Sequence, residues 1–378
     1  MGLIFSSPDR TGQTEVRAFA PGDLDAVADL FQRVFRDPSK PATDALRAYL
    51  RSVFLDHPWI EDDLRSKVYQ APGDERVSGF IGVLPMRMRY HDEPIRAVHA
   101  GSLMVADAKS DPLAGARLLR SVLNGPQDLT LSESANPLTQ DMWTRLGGDI
   151  VPGYSLDWIR VLRAADLAAS EMSQRFALAK LLKPFTGPGN RLAGSVAPEY
   201  LSEPGKGSPR FSSSAVDDET IAEILPGFFR AADLYPDFTP ADLVWRLGHA
   251  AEKTRHGNLS RRVVSGPGGK PAGAYLYYCR PGGIAWVLNI FATDKTAGAV
   301  VGDLVRQAFE EGAIAVRGRA VPALTTALMR HGALFLHRSA TTAASRRPDL
   351  MQAIALGKAE ITGIAAEAWT RLIGHAFT

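Results

Sequence analysis

A single cysteine, Cys279, among 378 residues rules out an intramolecular disulfide and any zinc site built on cysteines. That poverty fits a reducing cytoplasm. No apolar run reaches the length that spans a bilayer, and the opening MGLIFSSPDR has neither a basic n-region nor an extended apolar h-region, so a cytoplasmic chain without a membrane span is expected. Gly2 and Ser6 satisfy the loose N-myristoylation pattern, which is short and carries weight only in a eukaryotic host. The formal net charge is +2, too close to balance for a global field favouring nucleic acid or a membrane surface. Cations do gather in the second half, among them Lys253, Arg255, Arg261, Arg262, Arg317 and Arg319, but aromatic residues are not interleaved with them as a single-strand nucleic-acid platform requires. What the chain has in quantity is apolar surface: 45% hydrophobic residues, ample for packed cores in a chain longer than one ordinary domain.

The apolar periodicity runs through one order of elements twice. Residues 16–19 read as a strand, and Leu24, Val27, Ala28, Phe31, Val34 and Phe35 recur at helical spacing behind Asp23 as cap. A second helix follows the Thr43 cap with Leu46, Leu50, Val53 and Phe54 on one face. Strands are expected at 76–84, 86–90 and 95–105, the last two joined by the turn His91-Asp92-Glu93-Pro94. A helix at 113–123, a strand at 129–131, a helix between Asn136 and Gly148 and a strand pair ending near Leu162 complete this half. The second half starts with a helical stripe of Ile221, Ile224, Leu225, Phe228 and Phe229, then a Thr239-Pro240 cap that opens a helix carrying Trp245. Strands at 261–264, 272–279 and 285–291, a helix at 298–310, a strand at 314–316, a helix at 322–331 and a strand at 334–337 follow. Residues 184–214 are crowded with Pro, Gly and Ser and read as a linker, preceded by an Ala- and Leu-rich helix at 164–182. The expected organisation is a tail at 1–14, a domain at 15–163, a connecting helix and linker at 164–214 and a second domain at 215–378. A single large α/β domain is the rival reading of the same pattern.

The stretch NPLTQDMWTRLGG, from Asn136 to Gly148, follows a short apolar strand and has the length and punctuation of the last core helix of the GNAT superfamily of acyl-CoA N-acyltransferases, which it resembles. The resemblance covers most of residues 15–162 and, more weakly, 216–340. It implies an α/β (α+β) fold of two tandem GNAT-like domains, each a mixed, mostly antiparallel twisted sheet flanked by helices. It also implies acetyl-CoA or another acyl-CoA as co-substrate and a primary amine as small-molecule acceptor. Long proteins of this type suggest an amino sugar or envelope polysaccharide precursor as that acceptor.

Under the resemblance, the donor diphosphate lies on backbone N–H groups between the fourth strand and its helix. That stretch is VADAKSDPLAGARLL from Val105 to Leu119, which makes Met104, Val105, Ser110, Gly115 and Ala116 donor contacts, with Asn136 on the next helix. Ser110 stands where arginine or glutamine is usual, while Asp111 and Leu113 replace glycines; an aspartate there repels phosphate. The equivalent stretch of the second half, FATDKTAGAVVGDLV from Phe291, keeps Gly298 for close approach, Lys295 to offset anionic charge and Thr296 or Asp294 as cap. The second half is therefore expected to hold the better cradle, through Phe291, Lys295, Thr296 and Gly298. Trp143 and Leu328 occupy the position where the family often carries a tyrosine acid, and an indole N–H is no usable acid near neutral pH. Glu133, ending the fifth strand, is the candidate base, with His99 and Ser102 on the fourth strand as further catalytic candidates. The plainer readings make His99 a core or rim histidine, Ser102 a bulge residue and Asn136 an ordinary helix cap. Two functions remain open: an N-acyltransferase, or a catalytically degenerate protein of the same fold that binds a ligand or regulates.

Overall fold

The computed structural model describes residues 15–71, 73, 76–163, 166–167, 204–205, 210–372 and 374–377. The expected tail at 1–14 and most of the connecting helix and linker at 164–214 lie outside the described residues. The remainder forms two mixed sheets flanked by helices, the architecture expected for two GNAT-like domains.

The first sheet holds β1 (Glu15–Ala18), β2 (Lys67–Gln70), β3 (Val77–Tyr90), β4 (Glu93–Val105), β5 (Leu129–Ala135) and β6 (Asp149–Ile150). β3 is one long strand where two were expected, and the turn after it is confined to His91 and Asp92, both at positive φ. Pro85 sits within it without harm: β2 pairs as far as Ile81 and β9 (Leu234–Pro236) begins at Met88, so the edge that lacks a proline N–H has no strand to bond there. β2, only four residues long, escaped the sequence pattern. α1 (Leu24–Phe35) and α2 (Asp44–Phe54) cover one face of this sheet. Thr43 caps α2, its Oγ1 accepting the Leu46 N–H at 3.2 Å. Asp23, expected to cap α1, is held by Arg17 and by the Ala20 N–H instead. α3 (Ala114–Leu123) and α4 (Pro137–Arg145) lie on the other face.

The second sheet contains β8 (Ser212–Ala215), β10 (Asn258–Ser265), β11 (Pro271–Cys279), β12 (Ile284–Ala292), β13 (Ala315–Arg319) and β14 (Leu334–His337). β8 overlaps the end of the expected linker; its four residues add an edge to β10. Around the sheet stand α5 (Asp218–Phe229), α6 (Pro240–Ala251), α7 (Ala297–Glu310) and α8 (Thr325–Arg330). A capping box starts α6: Thr239 accepts the Asp242 N–H and Asp242 accepts the Thr239 N–H.

Each half lends a strand to the other. β7 (Leu156–Val161), expected to close the first domain, lies in the second sheet between β13 and β14. β15 (Ala340–Ser345), unassigned from sequence, returns to the first sheet and pairs with β5 and β6. A boundary at residue 163 therefore cuts the sequence but not the hydrogen bonding. The exchange is fastened by buried polar contacts: Thr341 Oγ1 donates to the Tyr154 carbonyl at 2.7 Å, and the Tyr154 hydroxyl donates to the Ala359 carbonyl at 2.7 Å. The largest apolar cluster draws on both halves, from Phe19, Phe31 and Leu50 to Leu225, Leu243 and Trp369. After β15, α9 (Pro348–Ala355) leads into a C-terminal segment that runs back between the sheets.

Trp143 anchors the packing of α3 and α4 on the first sheet. It is 1% exposed, among Leu118, Leu119 and Val122 of α3 and Val98 and Ala100 of β4. The chain turns beneath it at Gly147 (φ 89°), and a Cβ on Gly148 would lie 2.7 Å from its ring. Replacing Trp143 by alanine is expected to cost about 3–5 kcal/mol of unfolding free energy in urea titration, and a loss below about 1 kcal/mol would contradict this packing role. The strand exchange yields a second expectation. Residues 15–163 expressed alone lack β15 beside β5 and leave β7 without a sheet, so they should give no cooperative melting transition by circular dichroism. A sharp transition with dispersed amide resonances would refute the interlock.

Candidate active site

β4 and β5 run parallel for only three pairs, ending at His99 opposite Leu131, and then diverge. The divergence coincides with a bulge. Phe80 faces Met104 and Gly82 faces Gly101, so Ile81 alone opposes Ser102 and Leu103, and Ser102 takes φ 51°. An extra residue here disrupts the ladder and releases backbone groups at the wall of the gap. The gap is a cavity of about 350 Å³. Residues 100–103 line one side, and Ser132, Ser134 and Ala135 line the other; Asn136, Thr139 and the edge of Trp143 close the end beside α4.

The remaining wall comes from far along the chain. Glu367, Leu372 and Gly374 of the C-terminal segment meet Phe35 and Arg36 at the end of α1. Arg36 holds this wall by donating to the carbonyls of Leu372 at 3.0 Å and His375 at 3.1 Å. Glu367 is 4% exposed, and Ser134 Oγ donates to its Oε1 at 2.5 Å. Its other oxygen lies over the β4 backbone: a Cβ on Gly101 would stand 2.2 Å from Oε2, so only glycine leaves room for this carboxyl. Burial pushes the Glu367 pKa up to about 7, with the Ser134 hydrogen bond opposing and the Glu133 charge reinforcing the shift. Behind it, Lys253 donates to the Ala368 carbonyl, and burial lowers its pKa to about 8 against the pull of Glu133 and Glu367.

The expected site residues are dispersed by this geometry. Ser102 lines the cavity at the bulge, as does Asn136, which also caps α4 by accepting the Thr139 N–H at 3.0 Å. Glu133 does not reach the cavity. Its side chain leaves the other face of β5, where Oε1 accepts the Gly363 N–H at 3.1 Å and burial raises its pKa against the influence of Arg319. His99 is buried with both ring nitrogens unpartnered, and desolvation, aided by the Arg246 charge, pushes its pKa down to about 3. It is a core histidine. Met104 is 1% exposed in the core opposite Phe80. Gly115 and Ala116 form the first turn of α3, with Gly115 close to Val105 and Met142. Ser110 spends its N–H on Asp107 Oδ1 at 3.1 Å.

The second sheet repeats the divergence. β12 and β13 pair in parallel only from Ile284 opposite Ala315 to Trp286 opposite Arg317. Beyond that, the C-terminal segment is bound to β12: Asn289 Oδ1 accepts the Ile364 N–H at 2.6 Å, and Gly363, at φ 68°, packs against Asn289 and Leu288. Phe291 is 3% exposed and packs on Phe229, so it belongs to the core. Thr296 Oγ1 accepts the Thr293 N–H, closing the turn before α7, while Lys295 stays exposed and the Gly298 carbonyl bonds His331 at 2.8 Å. In the second half, the C-terminal segment thus packs where the strands diverge.

Glu367 was absent from the sequence reading. It lies 233 residues from Ser134, in a segment with no recognisable period, so no local pattern could have paired them.

No protein-family model matches the chain, and no curated protein matches its sequence. Solved structures do share its architecture. A GCN5-related N-acetyltransferase from Kribbella flavida superposes with a TM-score of 0.55 at 13% identity, over 89% of this chain and 71% of that one. A probable N-acyltransferase from Enterococcus faecalis, a conserved protein of unknown function, gives 0.58 at 10% identity over 88% and 73%. A GCN5-related N-acetyltransferase from Anabaena variabilis gives 0.57 at 12% identity over 89% and 74%. Identities this low speak for architecture alone, and on that ground, together with the two diverging sheets, the chain has the GNAT fold.

Proposed function

We propose that the protein is an N-acyltransferase, moving an acyl group from a thioester to a primary amine in the cavity between β4 and β5. The observation that carries this reading is Glu367: a carboxyl with pKa about 7, buried in the cavity wall beside the bulged strand. A general base works best with a pKa near the working pH. The amine nitrogen attacks the thioester carbon, forming the C–N bond; Glu367 takes the amine proton and the C–S bond breaks. Trp143 supplies no acid to the departing thiolate, so its proton comes from solvent or from the newly protonated Glu367. Backbone N–H groups freed by the bulge are the kind of donor that stabilises the tetrahedral oxyanion, and alignment of the two substrates supplies much of the remaining rate. Acetyl-CoA or another acyl-CoA is the donor that the resemblance implies, and the loop that would receive its diphosphate departs from the family's pattern. Asp107 and Asp111 are carboxylates there, and the loop N–H groups at Lys109, Ser110 and Asp111 are already bonded to Asp107. No step is therefore assigned to the nucleotide. Amino sugars head the acceptor panel on the strength of the resemblance, and a cytoplasmic location belongs to the same reading.

The second reading, a non-catalytic ligand-binding protein, is favoured by the same loop and by Trp143. Turnover separates the two. Thiol release from acetyl thioesters with an amine panel should fall about 100-fold or more in Glu367→Gln, since loss of a general base typically costs about 100- to 10,000-fold. In the wild type kcat/KM should fall as pH drops through about 7, because the base must be unprotonated. Equal turnover by the variant would remove Glu367 from the mechanism, and no turnover by the wild type would favour the binding reading. The stability expectation has the opposite sign. A carboxyl whose pKa rises from 4.5 to about 7 on folding binds its proton more tightly when folded, so its contribution to stability falls as pH rises through that window. Glu367→Gln should then melt at or above the wild-type temperature at pH 8, which also shows that lost turnover is not unfolding.

A further inference from the structure

Just past α6 the fold gathers cations with too few acids to match them. The turn Thr254–His256 is pressed onto the end of β11: Gly257, at φ 104°, lies so close to the Cys279 carbonyl that a Cβ there would collide with it. His256 is thereby held within reach of the Arg280 charge, and its ring stacks on Trp286 of β12 with centroids 4.4 Å apart. The Arg317 guanidinium lies over the same indole at 4.5 Å. From the C-terminal segment, His375 meets the His256 ring edge to face at 5.9 Å, and the Gly374 carbonyl accepts Arg255 Nη1 at 2.7 Å.

His375 is 6% exposed, and neither its ring nor that of His256 has a hydrogen-bond partner among the described residues. Burial pushes both imidazoles down, to a pKa of about 4 at His256 and about 3 at His375. The strongest charges acting on them are all positive: Lys253, Arg255, Arg280 and Arg317 on the first, Lys253, His256, Arg255 and Arg371 on the second. Carboxylates answer only some of these cations. Asp157 pairs with Arg317, Glu252 pairs with Arg371 at 3.0 Å, and Glu133 and Glu367 act on Lys253. Among the described residues Arg255 and Arg280 have no carboxylate partner. Like charges held together repel, and a buried imidazole without a partner adds its desolvation penalty. An anion placed among them relieves both costs.

We infer that this junction binds a small oxyanion group of the sulfate or phosphate type, gripped by Arg255 and Arg280 and by the imidazoles of His256 and His375. The stack of His256, Trp286 and Arg317 fixes the first imidazole, and Arg255 ties the segment that carries the second. The site lies at the Ile284 end of β12, whereas the turn before α7 follows its Ala292 end, and it is independent of the acyl-transfer chemistry.

The test is calorimetric titration of the full chain with sulfate, ionic strength being held constant with chloride so that general screening cancels. Saturable binding with a Kd of about 1 mM or below is expected. Arg280 is exposed and makes no bond that holds the fold, so Arg280→Gln should weaken sulfate by about tenfold or more, the loss of one charge-assisted contact. Without sulfate the same variant should melt at or above the wild-type temperature, because one of a set of like charges is gone. A structural role for Arg280 gives the opposite sign, a lower melting temperature with sulfate affinity unchanged, and overturns the assignment. The His256 and His375 ring resonances should shift saturably with sulfate in the wild type, and shifts spread evenly over all the histidines would also overturn it. Inorganic and methyl phosphate distinguish the sources of the group: equal Kd values identify an esterified phosphate as a ligand, and a preference of about tenfold for the inorganic ion identifies the free anion. Absence of saturable binding by sulfate and by both phosphates removes the site.

Discussion

The structure depends on how β5 is paired. Six of its seven residues are buried, so both its edges and both its faces must be satisfied within the protein. β4 covers one edge for only three residues, and β15, arriving from more than 200 positions later, covers the other. The first half cannot complete its sheet without the second. The debt is mutual, since β13 relies on β7 in the same way. Buried hydrogen bonds from Thr341 and Tyr154 and the shared apolar core make the two halves one folding unit in which most stabilising contacts are long-range.

The exchange also shapes the cavities. Because β15 ends inside the first sheet, the chain after α9 must travel back between the sheets. On that path Gly363–Ala365 settles against Asn289 in the second divergence, and a few residues later Glu367 and Leu372 wall the first. The same segment packs on the second divergence and walls the cavity in the first. Its most consequential contact is the seat of Glu367 above Gly101. Moving a carboxyl from pKa 4.5 to about 7 corresponds to on the order of 3 kcal/mol against the ionised form. Packing elsewhere in the fold offsets that cost.

Wherever the element was long and its apolar period clear, the sequence reading held: α1, α2, α6 and α7, the strand-rich stretches around β4, β11 and β12, and the Thr43 and Thr239 caps. Short strands such as β2, β8 and β9 carry too few residues for a period to register, and β3 read as two strands because Pro85 punctuates it. Of the candidate site residues, Ser102 and Asn136 line the cavity because a bulge and a helix cap are locally encoded. Glu133 and His99 lie on the same strands, but alternation turns their side chains into the core, and a one-residue difference in register is enough to exchange those roles.

Sequence by itself determined the order of the longer elements, the likeness to the GNAT fold and the residue types standing at Trp143 and Asp111, because each is a matter of local spacing and residue chemistry. Only the tertiary structure decided that a cavity opens between β4 and β5, which strands change sheets and which carboxyl is buried in the cavity wall. Those outcomes rest on contacts between residues more than 100 positions apart, such as Ser134 with Glu367 and Thr341 with Tyr154, where the energy lies in burial and hydrogen-bond satisfaction that no local window of sequence records.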